Sequence, residues 1–172
     1  MSRYKTAALL LVTFSIGCGG TATNPVAPAA SSNASASDLT QVTEGVVREL
    51  RALNLDVAMA ERISTGALTV IAQRIDIPRN VNESIYVHLY ATAELAASEA
   101  ARLGPDGNLI PQSGMPRVIV DWVGRVYFHV RDRIIVMYRG CDREFVAAMA
   151  RLFGPPIVIA GGFGFTPCDL PR

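Results

Sequence analysis

The chain reads as an α+β protein: three N-terminal helices packed on a small antiparallel sheet of three to four strands, with one further helix near the C-terminus. Three observations predict this. Apolar residues recur at spacings of three and four between Asp38 and Leu103. The pattern turns extended, with very short turns, between Arg117 and Arg139, and helical spacing returns from Asp142 to Phe153. The 135 residues from Asp38 to Arg172 make one domain, long enough to bury a core without multiple covalent staples.

The first helix follows from Leu39, Val42, Val46, Leu50 and Leu53 on one face, with Asp38 and Gln41 as a capping box. A second segment, Asp56 to Ile75, places Ala60, Ile63, Ala67, Val70 and Ile71 on one helical face. Gly66 interrupts it, and the β-branched content leaves Ala67 to Ile77 open as a strand, so residues 57–77 carry both readings until Pro78 ends the segment. The third helix is capped by Asn80 and Glu83, carries Ile85, Leu89, Ala93, Ala96, Ala100 and Leu103 as its stripe, and stops at Gly104-Pro105.

Three strands are expected at Arg117–Trp122, Arg125–Val130 and Ile134–Arg139. If Asp132-Arg133 is a two-residue loop, Tyr127 lies opposite Tyr138, Phe128 opposite Met137 and His129 opposite Val136. Carrying the register through Val123-Gly124 puts Ile119, Phe128, Val130, Ile135 and Met137 on one face. Val118, Val120, Trp122, Tyr127, His129, Val136 and Tyr138 fall on the other. Neither face is polar, so the sheet is covered twice: by helices on one side, and by a further element or a partner on the other. The last helix, with Phe145, Met149 and Leu152 inward, ends at Gly154-Pro155-Pro156, and Ile157–Ala160 is a fourth strand. The glycines of Gly161-Gly162-Phe163-Gly164 precede no helix, so they make a turn and not a phosphate loop.

Ahead of the domain stand Arg3 and Lys5, an apolar run from Ala7 to Ile16 and then Gly17-Cys18. The run is shorter than the roughly 20 residues of a membrane-crossing helix and has the basic start of a secretory signal. Phe14-Ser15-Ile16-Gly17-Cys18 resembles the lipobox of bacterial lipoprotein precursors, a resemblance confined to residues 1–18; Ser15 departs from the Leu that family prefers. The resemblance implies cleavage of residues 1–17, acylation of Cys18 and a place in the bacterial cell envelope, periplasm-facing or at the surface, with the lipid bilayer as first partner. Residues 19–37 contain no charge and no aromatic ring. With the lipidated Cys18 they make a disordered tether, residues 18–37, whose reach is about 24 Å.

Removing Arg3 and Lys5 leaves fourteen bases against fifteen acids, a near-neutral chain with no pull toward nucleic acid. Residues 38–102 are net −3 and 117–151 net +3, which fits complementarity between packed layers. With Cys18 on lipid, Cys141 and Cys168 remain, and in an oxidising compartment they are expected to form a disulfide.

Catalytic signals are sparse. His88 and His129 are the two histidines, and no His-x-x-x-His, Cys-x-x-Cys or Gly-x-Ser-x-Gly occurs, so no metal, cofactor or catalytic residue is assigned. The favoured reading is a non-enzymatic envelope lipoprotein that binds another envelope protein or peptide, or serves a structural role. Its candidate binding face is Trp122, Tyr127, His129 and Tyr138 with Arg131 and Arg133 at the edge. The alternative is a small hydrolase, with His129 or carboxylates among Glu94, Glu99, Asp121 and Asp142 gathered in a pocket, and Ser84, Ser98 or Ser113 as nucleophile. Parity sets Asp121 away from His129 and beside Arg139, where a structural ion pair explains both.

Overall fold

Ser35 accepts a hydrogen bond from the Asp38 amide, and the helix it caps, α1 (Ala36–Ala52), starts two residues before the expected Asp38. Asp38 sits instead in the first turn, where its charge opposes the helix dipole. In the computed structural model, residues 34–111, 119, 120, 122 and 124–161 are described. They form three helices and a six-stranded antiparallel sheet of order β1-β2-β3-β5-β4-β6: β1 (Ala58–Ile63), β2 (Ala72–Asp76), β3 (Ser84–Leu89), β4 (Arg125–Arg131), β5 (Ile134–Arg139) and β6 (Val158–Gly161). The other helices are α2 (Ala93–Ala100) and α3 (Arg143–Phe153).

This overturns the expectation of three N-terminal helices on a three- to four-stranded sheet. The second expected helix is the antiparallel pair β1–β2, joined through Gly66 at φ 70 and offset by an irregularity between Met59 and Arg62. Ile63 and Ile71, assigned to the buried stripe, are exposed. The first half of the third expected helix is β3. Every residue from Ser84 to Leu89 is buried, because β3 lies between β2 and β5 with both faces covered. A strand buried on both sides shows no alternation, and Ile85 and Leu89 fit a helical spacing by accident. Asn80 and Glu83 cap no helix: the Asn80 carbonyl and side chain accept the Glu83 and Asn82 amides in a turn. The alanine-rich second half is helical, as α2, with Thr92 at its N-cap.

The β4–β5 hairpin has the register that a two-residue Asp132-Arg133 loop requires. Tyr127 faces Tyr138, Phe128 faces Met137 and His129 faces Val136. Asp132 takes the left-handed conformation at φ 52, which aspartate tolerates better than most residues. β6 extends the sheet beyond β4, with Tyr127 paired to Ile159. Of the expected strand Arg117–Trp122, only Ile119, Val120 and Trp122 are described, and none is in a strand.

Parity on β5 separates two cores. Val136 and Tyr138, with Val87 and Ile85 of β3, lie under α1 and α3, where they meet Leu50, Phe145 and Met149. Ile135 and Met137, with Tyr86 and Phe128, lie under α2 and the segments that carry Leu68, Val70, Leu103 and Trp122. Both faces are therefore covered from within the chain. The Tyr138 ring stacks on Tyr127 and on Phe145, each at 5.9 Å between centroids. Burying a ring the size of Phe145 contributes roughly 1.5–3 kcal/mol.

Candidate functional site

The proposed binding face does not exist as one surface. Trp122 is on the α2 side of the sheet, edge-on to Phe128 at 5.9 Å, while Tyr127, His129 and Tyr138 lie under α1 and α3. All four are under 10 % exposed. Trp122 does not share the face of Tyr127 because it is in no strand and the backbone turns at Gly124, where φ is 93, so strand parity does not carry across. Arg131 is committed to structure: it donates to the Leu152 carbonyl at 2.8 Å, lies over the Phe153 ring and approaches Glu49 at 3.7 Å. Arg133 occupies the hairpin turn, where its carbonyl accepts the Tyr90 amide.

The groups available for acid–base chemistry are dispersed. His88, on β3, is fully buried; its Nδ1 meets the Val70 carbonyl at 3.0 Å, so that nitrogen carries the proton, and burial pushes the imidazole pKa down to about 4. His129 Nδ1 meets the Gly154 carbonyl at 2.8 Å, and burial again lowers its pKa. His129 belongs to the α3 side of the sheet and His88 to the α2 side, by strand parity from Tyr127 and Tyr86. Glu99 accepts from the Thr69 amide and Arg102, both at 2.8 Å; Asp142 caps α3 and holds Arg79 at 2.8 Å. Glu94 is exposed in the first turn of α2, Ser84 is buried in β3 and Ser98 is exposed. Asp121 and Ser113 lie outside the described residues, as do Cys18 and Cys168. Cys141 is not free. Among the described residues no three His, Cys, Asp or Glu side chains gather to hold a metal, and no helix is long and apolar enough to cross a membrane.

Polar and aromatic groups converge elsewhere, at a cavity of about 230 Å³ between the end of β1 and the segment of Trp122. Tyr86, Met137 and Arg139 enter it from one face of the sheet, since each lies an even number of positions from its neighbour on β3 or β5. Ile63 and Thr65 line the β1 end. The opposite wall is Trp122 and Val120, fixed by the turn at 106–108: Asn108 Oδ1 accepts the Val120 amide at 2.6 Å, and the Asp106 carbonyl accepts the indole N–H at 3.1 Å.

Two residues of this lining carry a buried polar atom without a hydrogen-bond partner, Thr65 Oγ1 and Arg139 Nε, as do Arg74, His88, Tyr90 and His129 elsewhere. Such atoms are uncommon inside folded proteins. With an aromatic wall, a methionine floor, a guanidinium and a hydroxyl, the cavity can hold an anion on an apolar stem. Neither histidine lines it. Of its lining, sequence reasoning named only Trp122 for binding. Arg139 was assigned to an ion pair with Asp121, and Tyr86 to a helix; the parity of Met137 and Arg139 on β5 was the signal for part of this wall. No protein-family model, no curated protein and no solved structure matches the chain.

Proposed function

We propose that the chain is a membrane-tethered envelope lipoprotein of non-enzymatic type, a module that binds part of another envelope protein or peptide. The lipobox-like residues before Cys18 and the uncharged stretch after it support the tether. The binding role rests on one observation: Thr65 and Arg139, each with a buried polar atom that lacks a partner, line a cavity walled by Trp122. The hydrolase alternative finds no such support, because His129 is packed against the Gly154 carbonyl, away from Glu99 and Arg102 on the other side of the sheet.

A photo-crosslinking amino acid at Ile63, on the cavity mouth, tests the binding role in cells, with the same group at exposed Arg151 as control. A discrete adduct at position 63, absent at 151 and lost in Arg139→Gln, is expected. Equal patterns at both sites overturn the reading. Loss of labelled palmitate and of membrane association in Cys18→Ser is the corresponding expectation for the tether.

A further inference from the structure

Arg139 differs from the arginines that pair with an acid on this fold. Arg74, Arg79 and Arg102 each hold a carboxylate at 2.8 Å, and Arg131 approaches one at 3.7 Å. Among the described residues no acidic group pairs with Arg139, although it is half-buried on the central strand β5. A guanidinium in such a place favours a planar, bidentate anion, and the nearby Thr65 hydroxyl adds a donor. The remaining walls, Trp122, Tyr86, Met137, Val120 and Ile63, are apolar or aromatic, with Ser64 as the one other polar residue. A bare inorganic anion would leave them unfilled.

Size narrows the occupant further. A cavity of about 230 Å³ is smaller than the roughly 300–1,000 Å³ of sites for drug-sized ligands and cofactors. That is room for one amino-acid residue. Location supplies the rest. Ile63 at the mouth is the last residue of β1, which lies at the end of the strand order and pairs only with β2 among the described strands. An extended chain that added itself along β1 would deliver its end into the cavity.

On the reading that the chain is a peptide- or protein-binding module, we infer that the cavity binds the C-terminal residue of a partner chain. The terminal carboxylate sits on Arg139 and Thr65, and an apolar last side chain lies against Trp122, Tyr86 and Met137. The bound group is a carboxylate on a short apolar stem.

Trp122 is the single tryptophan of the chain, so its emission reports directly on the cavity. The full chain in detergent is titrated with N-acetyl-phenylalanine as the free acid, with its C-terminal amide, and with octanoate. A saturable change in Trp122 emission with the acid is expected, with the amide weaker by about ten-fold or more, since it lacks the charge-assisted bond. Octanoate, without a peptide group, is expected to bind more weakly than the acid. Arg139→Gln should erase the difference between acid and amide, and Arg139→Lys should keep part of it. Thr65→Val should weaken the acid selectively and serves if Arg139→Gln does not fold. Equal binding of acid and amide, or octanoate as tight as the acid, overturns the inference. Silence toward all three while the cross-link at position 63 persists overturns the terminal-carboxylate assignment alone; loss of that cross-link as well removes the binding module with it.

Discussion

Tyr138 and Glu83, 55 residues apart in the chain, share a buried hydrogen bond in which the phenol donates to Glu83 Oε2. The same phenol oxygen accepts the Asp142 amide at 3.1 Å, and Glu83 Oε1 accepts the Cys141 amide at 3.0 Å. One carboxylate and one phenol thus fasten the turn before β3 to the start of α3. Gly140 passes so close that a Cβ there would meet Glu83 Cδ at 2.6 Å. Tyr138→Phe leaves Glu83 Oε2 and the Asp142 amide short of partners, and is expected to lower unfolding stability by about 1–3 kcal/mol in urea titration. Burial, reinforced by Glu83, drives the Tyr138 pKa well above its usual value. The folded state therefore keeps the proton while the unfolded chain releases it above about pH 10. Stability should fall as pH rises past that point, and part of the alkaline loss should vanish in Tyr138→Phe. An unchanged urea midpoint in the variant would count against the fastening role.

The histidines give the acid limb. His88 is held neutral in the fold, with a pKa lowered to about 4 because burial disfavours the charged ring. The unfolded chain takes up a proton near pH 6.5, so the contribution to stability is present above that value and is lost as pH falls toward 4. At about 1.4 kcal/mol per pH unit the loss approaches roughly 3 kcal/mol. His129, also lowered, acts in the same direction. Urea unfolding at closely spaced pH values should show this slope, and His88→Gln should reduce it by one proton even if its absolute stability is lower. An identical slope in the variant would show that His88 titrates alike in both states.

What the sequence made legible follows from where one period stands alone. The β4–β5 register was readable because the Asp132-Arg133 turn fixes it, and α3 because Phe145 and Met149 face the core while Arg143, Glu144 and Arg151 face water. β3 was not, since Ser84 to Leu89 are buried on both faces and lose the alternation that marks a strand. β1 was hidden by an irregular pairing and by a chance run of apolar residues at spacings of three and four, while β2 lies within Ala67 to Ile77, where the β-branched content left a strand open. The cavity was hidden for a different reason. Thr65, Tyr86, Trp122 and Arg139 belong to segments far apart in sequence, and only the strand order β1-β2-β3-β5 brings them together.

The expected Cys141–Cys168 bond bears on how the C-terminal segment is held. Cys141 lies between the Glu83 fastening and the N-cap of α3, a site already fixed by hydrogen bonds. A bond from there closes a loop of about 28 residues, valued at roughly 3.5 kcal/mol in the chain-entropy view. Alkylation and mass spectrometry of the protein, kept under oxidising conditions, should find neither Cys141 nor Cys168 modified before reduction and both after it. Cys141→Ser should lose stability by an amount up to that figure. Two alkylatable thiols before reduction would end the proposal.

Gly107 offers a test of the cavity wall that leaves Arg139 untouched. Its φ is +74, and a Cβ there would meet Ala160 Cβ at 2.6 Å, Trp122 Nε1 at 2.9 Å and Phe128 Cε2 at 3.2 Å. The indole thus rests on a backbone that has no room for a methyl group, and its N–H reaches the neighbouring Asp106 carbonyl. Gly107→Ala adds strain at a left-handed position and pushes the ring off its seat, at an expected cost of about 1–3 kcal/mol. Because Trp122 is the single tryptophan, the displacement is visible as a red shift of emission as the ring gains water, under conditions where circular dichroism still reports the folded sheet. Binding of the N-acetyl-phenylalanine acid should weaken in the same variant through loss of the wall, while the preference for acid over amide, which Arg139 sets, should survive. An emission maximum identical to that of the parent would mean that Gly107 does not position Trp122.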